Sequence, residues 1–329
     1  MDVVTGSDGA AISGDLPWST AEVAGSARLE ALRAQRTHPA LLWFGPTYGV
    51  MERTGAGWLM STMTDQTPQS ARNALGWWFR IMARRRSTAE AAREEFWEAS
   101  ALLERERLNE LTVAGRRFRV VRADRFYRYG LSGPEQPRST DSDTDRTGGR
   151  AGFDLLTAGL LGPAETPGGA ALLGERWEAV PEGAVVPTEV TVDARKALTT
   201  HPKIALLAPR YAVTEQKDGH WPAQTDATPS PYDARRALAM YFREIVPVLL
   251  APPDEELEAY REAAQRLERE RLHQIRVAGR RFRIMRVETA VRLGPDGPEH
   301  PRPSDHDPDP PLTGETEELR TWDLLDEDE

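Results

Sequence analysis

The chain of 329 residues is written twice. His38-Pro39 recurs as His201-Pro202, an offset of 163 (201 less 38), and the register holds from Pro46, Tyr48, Val50, Glu52 and Trp58 to Pro209, Tyr211, Val213, Glu215 and Trp221. Pro68, Ala71, Arg72, Leu75, Phe79 and Arg80 likewise meet Pro231, Ala234, Arg235, Leu238, Phe242 and Arg243. After one inserted residue, Glu104-Arg105-Glu106-Arg107-Leu108 repeats as Glu268-Arg269-Glu270-Arg271-Leu272, and Val113-Ala114-Gly115-Arg116-Arg117-Phe118-Arg119 repeats from Val277 to Arg283. Gly133-Pro134-Glu135, Pro137-Arg138, Asp141 and Asp143 are copied as Gly297-Pro298-Glu299, Pro301-Arg302, Asp305 and Asp307. Such a repeat is a strong constraint on the fold: each copy must form the same unit, and two copies in one chain pack like a fused homodimer about a local two-fold axis.

The spacing within one copy predicts an α+β unit. A helix opens at Ser19 with a Ser19-x-x-Glu22 capping box, and its counterpart opens near Asp193. Ala40 to Phe44, Tyr48 to Arg53 and Trp58 to Thr62 have strand character, separated by Gly and Pro turns, with counterparts from Lys203, Tyr211 and Trp221. Thr67-Pro68 and Ser230-Pro231 place a capping hydroxyl before a proline, which starts a helix whose apolar stripe is Ala71, Ala74, Leu75, Trp78 and Phe79. A second helix is expected from Ser87, with Glu90 completing its box, to about Glu110. A hairpin follows, turning at Ala114-Gly115 into a long strand from Arg116 to about Tyr129. The expectation is therefore two tandem copies of a βββααββ unit packed as a pseudo-two-fold bilobal body. Residues 1–18 form an N-terminal tail, 19–156 the first repeat, 157–189 a linker and 190–329 the second repeat with an acidic tail. Residues 130–152 also have linker composition.

Composition narrows the function classes. There are no cysteines, which excludes disulfides, thiolate nucleophiles and sulfur-ligated zinc. No apolar run approaches the roughly 20 residues of a membrane span, and the first residues lack a signal-peptide core, so a cytoplasmic protein without a membrane partner is expected. The net charge of −10 disfavours a general nucleic-acid binder. Of 42 basic residues only Lys196, Lys203 and Lys217 are lysines.

Several groups are candidates for chemistry. The hairpin strands are basic ribbons, and Arg116, Arg117, Arg119, Arg280, Arg281 and Arg283 can lie along phosphates or pair with the Glu-rich helices beside them. Tyr48, Glu52 and Arg80, with their counterparts, supply an acid, a base and an anion clamp if they converge on one cleft; otherwise they knit sheet to helix. Asp305, His306, Asp307 and Asp309 have the composition of a carboxylate metal loop, but His306 faces Ser142 in the repeat and no metal or cofactor is assigned. Trp77-Trp78 with Phe96 and Trp97 have the spacing of core aromatics. Each copy closes on an apolar tag, Phe153-Asp154-Leu155-Leu156 and Trp322-Asp323-Leu324-Leu325, which either covers its own copy or docks on a partner. No P-loop, G-x-S-x-G, G-x-G-x-x-G or H-E-x-x-H motif is present, and no catalytic residue is assigned.

The Val-Ala-Gly-Arg-Arg-Phe-Arg hairpin and the Gly-Pro-Glu-x-Pro-Arg loop that follows resemble an uncharacterised streptomycete family known only as a domain of unknown function. The resemblance implies an actinobacterial cytoplasmic protein and carries no activity. The sequence thus points to a non-catalytic binding or assembly protein with two equivalent lobes, monomeric or a homodimer, whose partner is another cytoplasmic protein. Two alternatives stay open: an enzyme with a site between the lobes, and a nucleic-acid-associated protein using the arginine hairpins.

Overall fold

Two fifteen-residue strands organise the molecule, β4 (Arg116–Gly130) and β10 (Arg280–Gly294). Each is launched by a tight turn with both central residues at positive φ, Ala114-Gly115 at 49° and 70° and Ala278-Gly279 at 47° and 74°, the geometry that matches the right-handed twist of a hairpin. The short outer strands β3 (Glu110–Val113) and β9 (Gln274–Val277) pair back on them. This computed structural model describes residues 20–55, 57–143, 160–161, 187–223, 225 and 227–319.

The first half begins with α1 (Thr20–Thr37), then β1 (Ala40–Thr54) and β2 (Gly57–Asp65). The two strands expected between Ala40 and Arg53 are one, because β1 pairs with β4 on both sides of a bulge between Trp43 and Pro46. Helix α2 (Pro68–Arg84) starts as expected: Thr67 accepts a hydrogen bond from the Ser70 amide at 3.1 Å and Pro68 occupies the first position. Helix α3 spans Glu90–Leu103, without a side-chain cap. It stops well short of Glu110, as the backbone leaves the helix through residues 104–109 to start β3.

The second half has a similar element order, with differences. Helix α4 (Thr188–Thr200) begins earlier than Asp193, and Asp193 instead accepts from the Ser304 amide at 2.9 Å. Strands β7 (Lys203–Leu206) and β8 (Arg210–Glu215) are separate, and the third strand expected from Trp221 is reduced to isolated bridges such as Thr214↔Ala223. Ser230 caps α5 (Pro231–Met240), which continues through a π turn (Tyr241–Ile245) and a last turn (Val246–Leu249). Helix α6 covers Asp254–Glu270.

The structure is α+β, and among the described residues the strands join in one large antiparallel sheet, ordered β2-β1-β4-β10-β7 and then β6 (Leu160–Leu161), which lies inside the stretch expected to be linker. The central β4–β10 pairing runs Phe126↔Glu288, Arg125↔Thr289 and Asp124↔Ala290. Arg125 and Thr289 are counterparts at offset 164 (289 less 125), so the pairing is centred on them.

Helices cover one face of each half. In the first, Leu75, Phe79 and Phe96 pack on Phe118 and Val120; in the second, Leu238, Phe242 and Tyr260 pack on Phe282 and Ile284. Both cores centre on an edge-to-face pair, Phe79–Phe118 at 5.2 Å and Phe242–Phe282 at 5.0 Å. Trp78 and Trp97 belong to the first core, whereas Trp77 is 58% exposed. A further cluster joins the halves, with Met51, Trp58, Val121 and Ala123 against Ala205, Leu207, Val291 and Leu293.

Candidate functional site

The loop after each long strand is not a linker; it crosses to the opposite half. β5 (Gly133–Pro134) and β11 (Gly297–Pro298) fold back on the ends of β4 and β10. Gly133 has φ +106° and lies against the Trp221 indole, and Gly297, at φ +124°, lies against Trp58. A side chain at either position has no room and an unfavourable backbone. Arg283 Nη1 donates to the Pro134 carbonyl at 2.8 Å, and Arg119 Nη1 donates to the Pro298 carbonyl at 2.9 Å. The Arg286 amide then bonds Glu135 O at 2.8 Å, and the Arg122 amide bonds Glu299 O at 2.9 Å.

The acidic residues of each loop meet arginines of the other half. Arg286 Nε donates to Asp141 at 3.0 Å and Arg235 to Asp143 at 2.7 Å; in reverse, Arg122 Nε donates to Asp305 at 3.0 Å and Arg72 to Asp307 at 2.7 Å. Each loop is braced internally, by Arg138 on Glu135 and Arg302 on Glu299. Burial pushes the Glu299 carboxyl up, but Arg302, Arg122 and Arg292 outweigh it and hold the group below the ordinary range. Burial also raises the Tyr48 and Tyr211 hydroxyls, with Asp305 and Asp141 adding to the effect. Buried pairs of this kind are balanced by hydrogen bonds to both ions and fix which surfaces meet. Asp305 and Asp307, from the stretch with the composition of a metal loop, are thus arginine partners.

The hairpin arginines are engaged within the protein. Arg119 and Arg283 are buried. Arg116 bonds both Glu52 oxygens at 2.7 Å and stacks over Trp78 at 5.0 Å. Arg280 bonds Glu215 at 2.7 and 2.9 Å and the Tyr241 hydroxyl at 3.0 Å. Arg117 pairs with Glu110, and Arg281 donates to Gln216 at 3.3 Å and Gln274 at 3.1 Å. These carboxylates come from strands and loops, not from the helices. Tyr48, Glu52 and Arg80 do not converge: Tyr48 faces Asp305, Glu52 holds Arg116, and Arg80 faces Glu104.

Sequence patterns did not disclose the surface around Arg80. Residues 315–319 form a helical turn that lies on α2 and α3 of the first half. Glu104 accepts from the Gly314 amide at 3.1 Å and the Thr316 amide at 2.7 Å, Arg80 donates to Glu315 at 2.8 Å, and Thr316 and Ser100 hydroxyls meet at 2.9 Å. Thr316 is 2% exposed, and Leu319 packs on the first core. Residues 314–319 therefore lie against the first half. The tag residues Phe153 and Trp322 lie outside the described residues.

In the second half the counterparts differ. Arg243 bonds Glu268 at 2.8 Å with both side chains more than a third exposed, and Ser100 is replaced by Ala264. The same helical segment exposes Met240, Ile245, Val248, Leu249 and Leu250. Glu104 and Arg80 were visible in the repeat as matched residues; their role was not, because nothing in the periodicity of residues 312–319 marks a docking segment.

No helix among the described residues is long and apolar enough to cross a membrane. A family model, the family of unknown function DUF5954, matches residues 21–308. No curated protein and no solved structure matches the chain.

The chain belongs to the DUF5954 family.

Proposed function

We propose that this member of DUF5954 is a non-catalytic cytoplasmic binding or assembly protein, built as a tandem duplication whose two lobes, 19–156 and 190–329, relate by a pseudo-two-fold axis. The self-matching β4–β10 register and the reciprocal loop contacts support the duplicated reading. An actinobacterial setting fits the arginine-for-lysine bias of the sequence.

The observation that carries the binding function is the difference between the two helical faces. On the first lobe the Arg80–Glu104 pair is covered by a short acidic helix of the chain's own tail. On the second, Arg243–Glu268 is open beside an apolar strip from Met240 to Leu250. The partner class is a short acidic, leucine-bearing helix from another protein, whose carboxylate meets Arg243 and whose apolar side covers Val248 and Leu249. The full-length chain is titrated with a fluorescent peptide of residues 312–329. Saturable binding that is lost in Arg243→Ala and Leu249→Glu but kept in Ser100→Ala supports the assignment. A peptide that binds with no sensitivity to either second-lobe substitution, or fails to bind, sinks it.

A further inference from the structure

A separate cleft lies where β1, β4 and β7 end beside the β10–β11 turn. It encloses about 290 Å³ and is lined by Arg53, Arg117 and Lys203, with Trp58, Pro295 and Asp296 as walls. Arg53 and Lys203 are exposed. Arg53 stands over the Trp58 ring at 5.9 Å. Arg117 shares Glu110 with Arg119, and Arg119 also bonds Asp296 at 3.2 Å. The local balance is Arg53, Arg117, Arg119 and Lys203 against Glu110 and Asp296, an excess of two positive charges on a chain whose net charge is −10. An uncompensated pair of cations at a junction of two lobes is where a small anion gains most from charge-assisted hydrogen bonds.

The repeat sharpens the point. Trp58 and Arg117 have identical counterparts in Trp221 and Arg281, so the scaffold of the cleft is present twice. The two exposed cations are not: Gln216 stands for Arg53, and Ala40 stands for Lys203, one of only three lysines in the chain. The excess charge therefore belongs to this cleft and not to the architecture.

We infer that the Arg53–Arg117–Lys203 cleft binds a compact doubly charged phosphate, either the free ion or a small phosphate monoester. Its volume sits at the lower end of small-molecule sites and suits a compact ligand. A nucleic-acid strand is disfavoured because the cations form a single cleft rather than a stripe along the backbone's path. Lys203 and Arg53 supply the charge from opposite sides of the junction, Arg117 adds a directed guanidinium, and Asp296 is turned onto Arg119.

The test is calorimetric titration of the full-length chain with inorganic phosphate at fixed ionic strength, with chloride as the control, alongside Arg53→Gln and Lys203→Ala. Both substitutions install the residues that the other copy carries, so folding is retained, and melting curves verify it. The expected result is one saturable phosphate per chain, weakened roughly tenfold or more by each substitution and kept by Lys203→Arg. Glycerol 3-phosphate is titrated in parallel: tighter binding than phosphate assigns a monoester, and weaker binding assigns the free ion. Absence of saturable binding by either probe, or affinity unchanged in both variants, overturns the site. An oligonucleotide that displaces phosphate and depends on the same two residues replaces it with a nucleic-acid surface.

Discussion

Gly297 and Trp58 approach so closely that a methyl group on the glycine would lie 2.5 Å from the indole Nε1. The contact locks the loop of one half under the strand of the other, and Gly133 with Trp221 repeats it at 2.8 Å. Gly297→Ala is expected to destabilise the protein by about 2–4 kcal/mol, combining overpacking with a positive φ. Urea unfolding of this variant, with Gly115→Ala as a comparison at a position with open space, separates the packing cost from the backbone cost.

The exchanged ion pairs give a second expectation. Arg122 is buried between Asp124 at 2.8 Å and Asp305 at 3.0 Å. Arg122→Met alone leaves buried carboxylates short of a partner and costs about 3–5 kcal/mol. Adding Asp305→Leu recovers part of that loss, so the double-mutant cycle shows a coupling well outside additivity.

The hairpin turns can be improved. Ala114 and Ala278 hold φ of 49° and 47°, a conformation that disfavours a Cβ and suits asparagine. Ala114→Asn and Ala278→Asn should each stabilise by about 0.5–1 kcal/mol, read as additive increments in thermal or urea unfolding.

Much of this was legible beforehand, and the misses have a common cause. Capped helices at Thr67-Pro68 and Ser230-Pro231, the Ala-Gly hairpins and the aromatic cores rest on local spacing, and the structure places them as expected. The repeat named the loop residues Gly133 to Asp143, yet their composition suggested a linker, because sequence alone does not distinguish a loop in solvent from one whose carboxylates find arginines 92 and 145 residues away. The two strands drawn before Arg53 merged for a related reason. A turn signal at Gly45-Pro46 marks a bulge when a long partner strand such as β4 continues past it.

Acidity near neutral pH provides a further check. Burial raises the Asp65 carboxyl to about 6, and its Oδ2 has no hydrogen-bond partner. A folded-state value above the unfolded one means that the folded chain holds this proton more firmly, so stability falls as pH rises from about 4 to 6 and stays lower above that. Asp65→Asn should abolish this component and leave a more stable protein at pH 7. Unfolding free energies across pH 4–8 for the two proteins report the difference, and parallel profiles contradict it.

The tail contact is tested through Glu104. Replacing it by glutamine removes the charge that receives the Gly314 and Thr316 amides. Glu104→Gln should speed hydrogen exchange and proteolysis at residues 314–319 by an order of magnitude or more, while the second-half core keeps its protection.

The crossing of the loops also bears on how the chain comes to its folded state. Arg119 finds Pro298 across 179 residues and Arg283 finds Pro134 across 149, so neither half is complete until the other has been made. Each half waits on the other, which favours one all-or-none transition over stepwise melting of independent lobes. The same long separations raise the contact order and slow the search. A ribosome making this protein would hold an unfinished first half, with its arginines unmatched, until residues 298–307 had emerged.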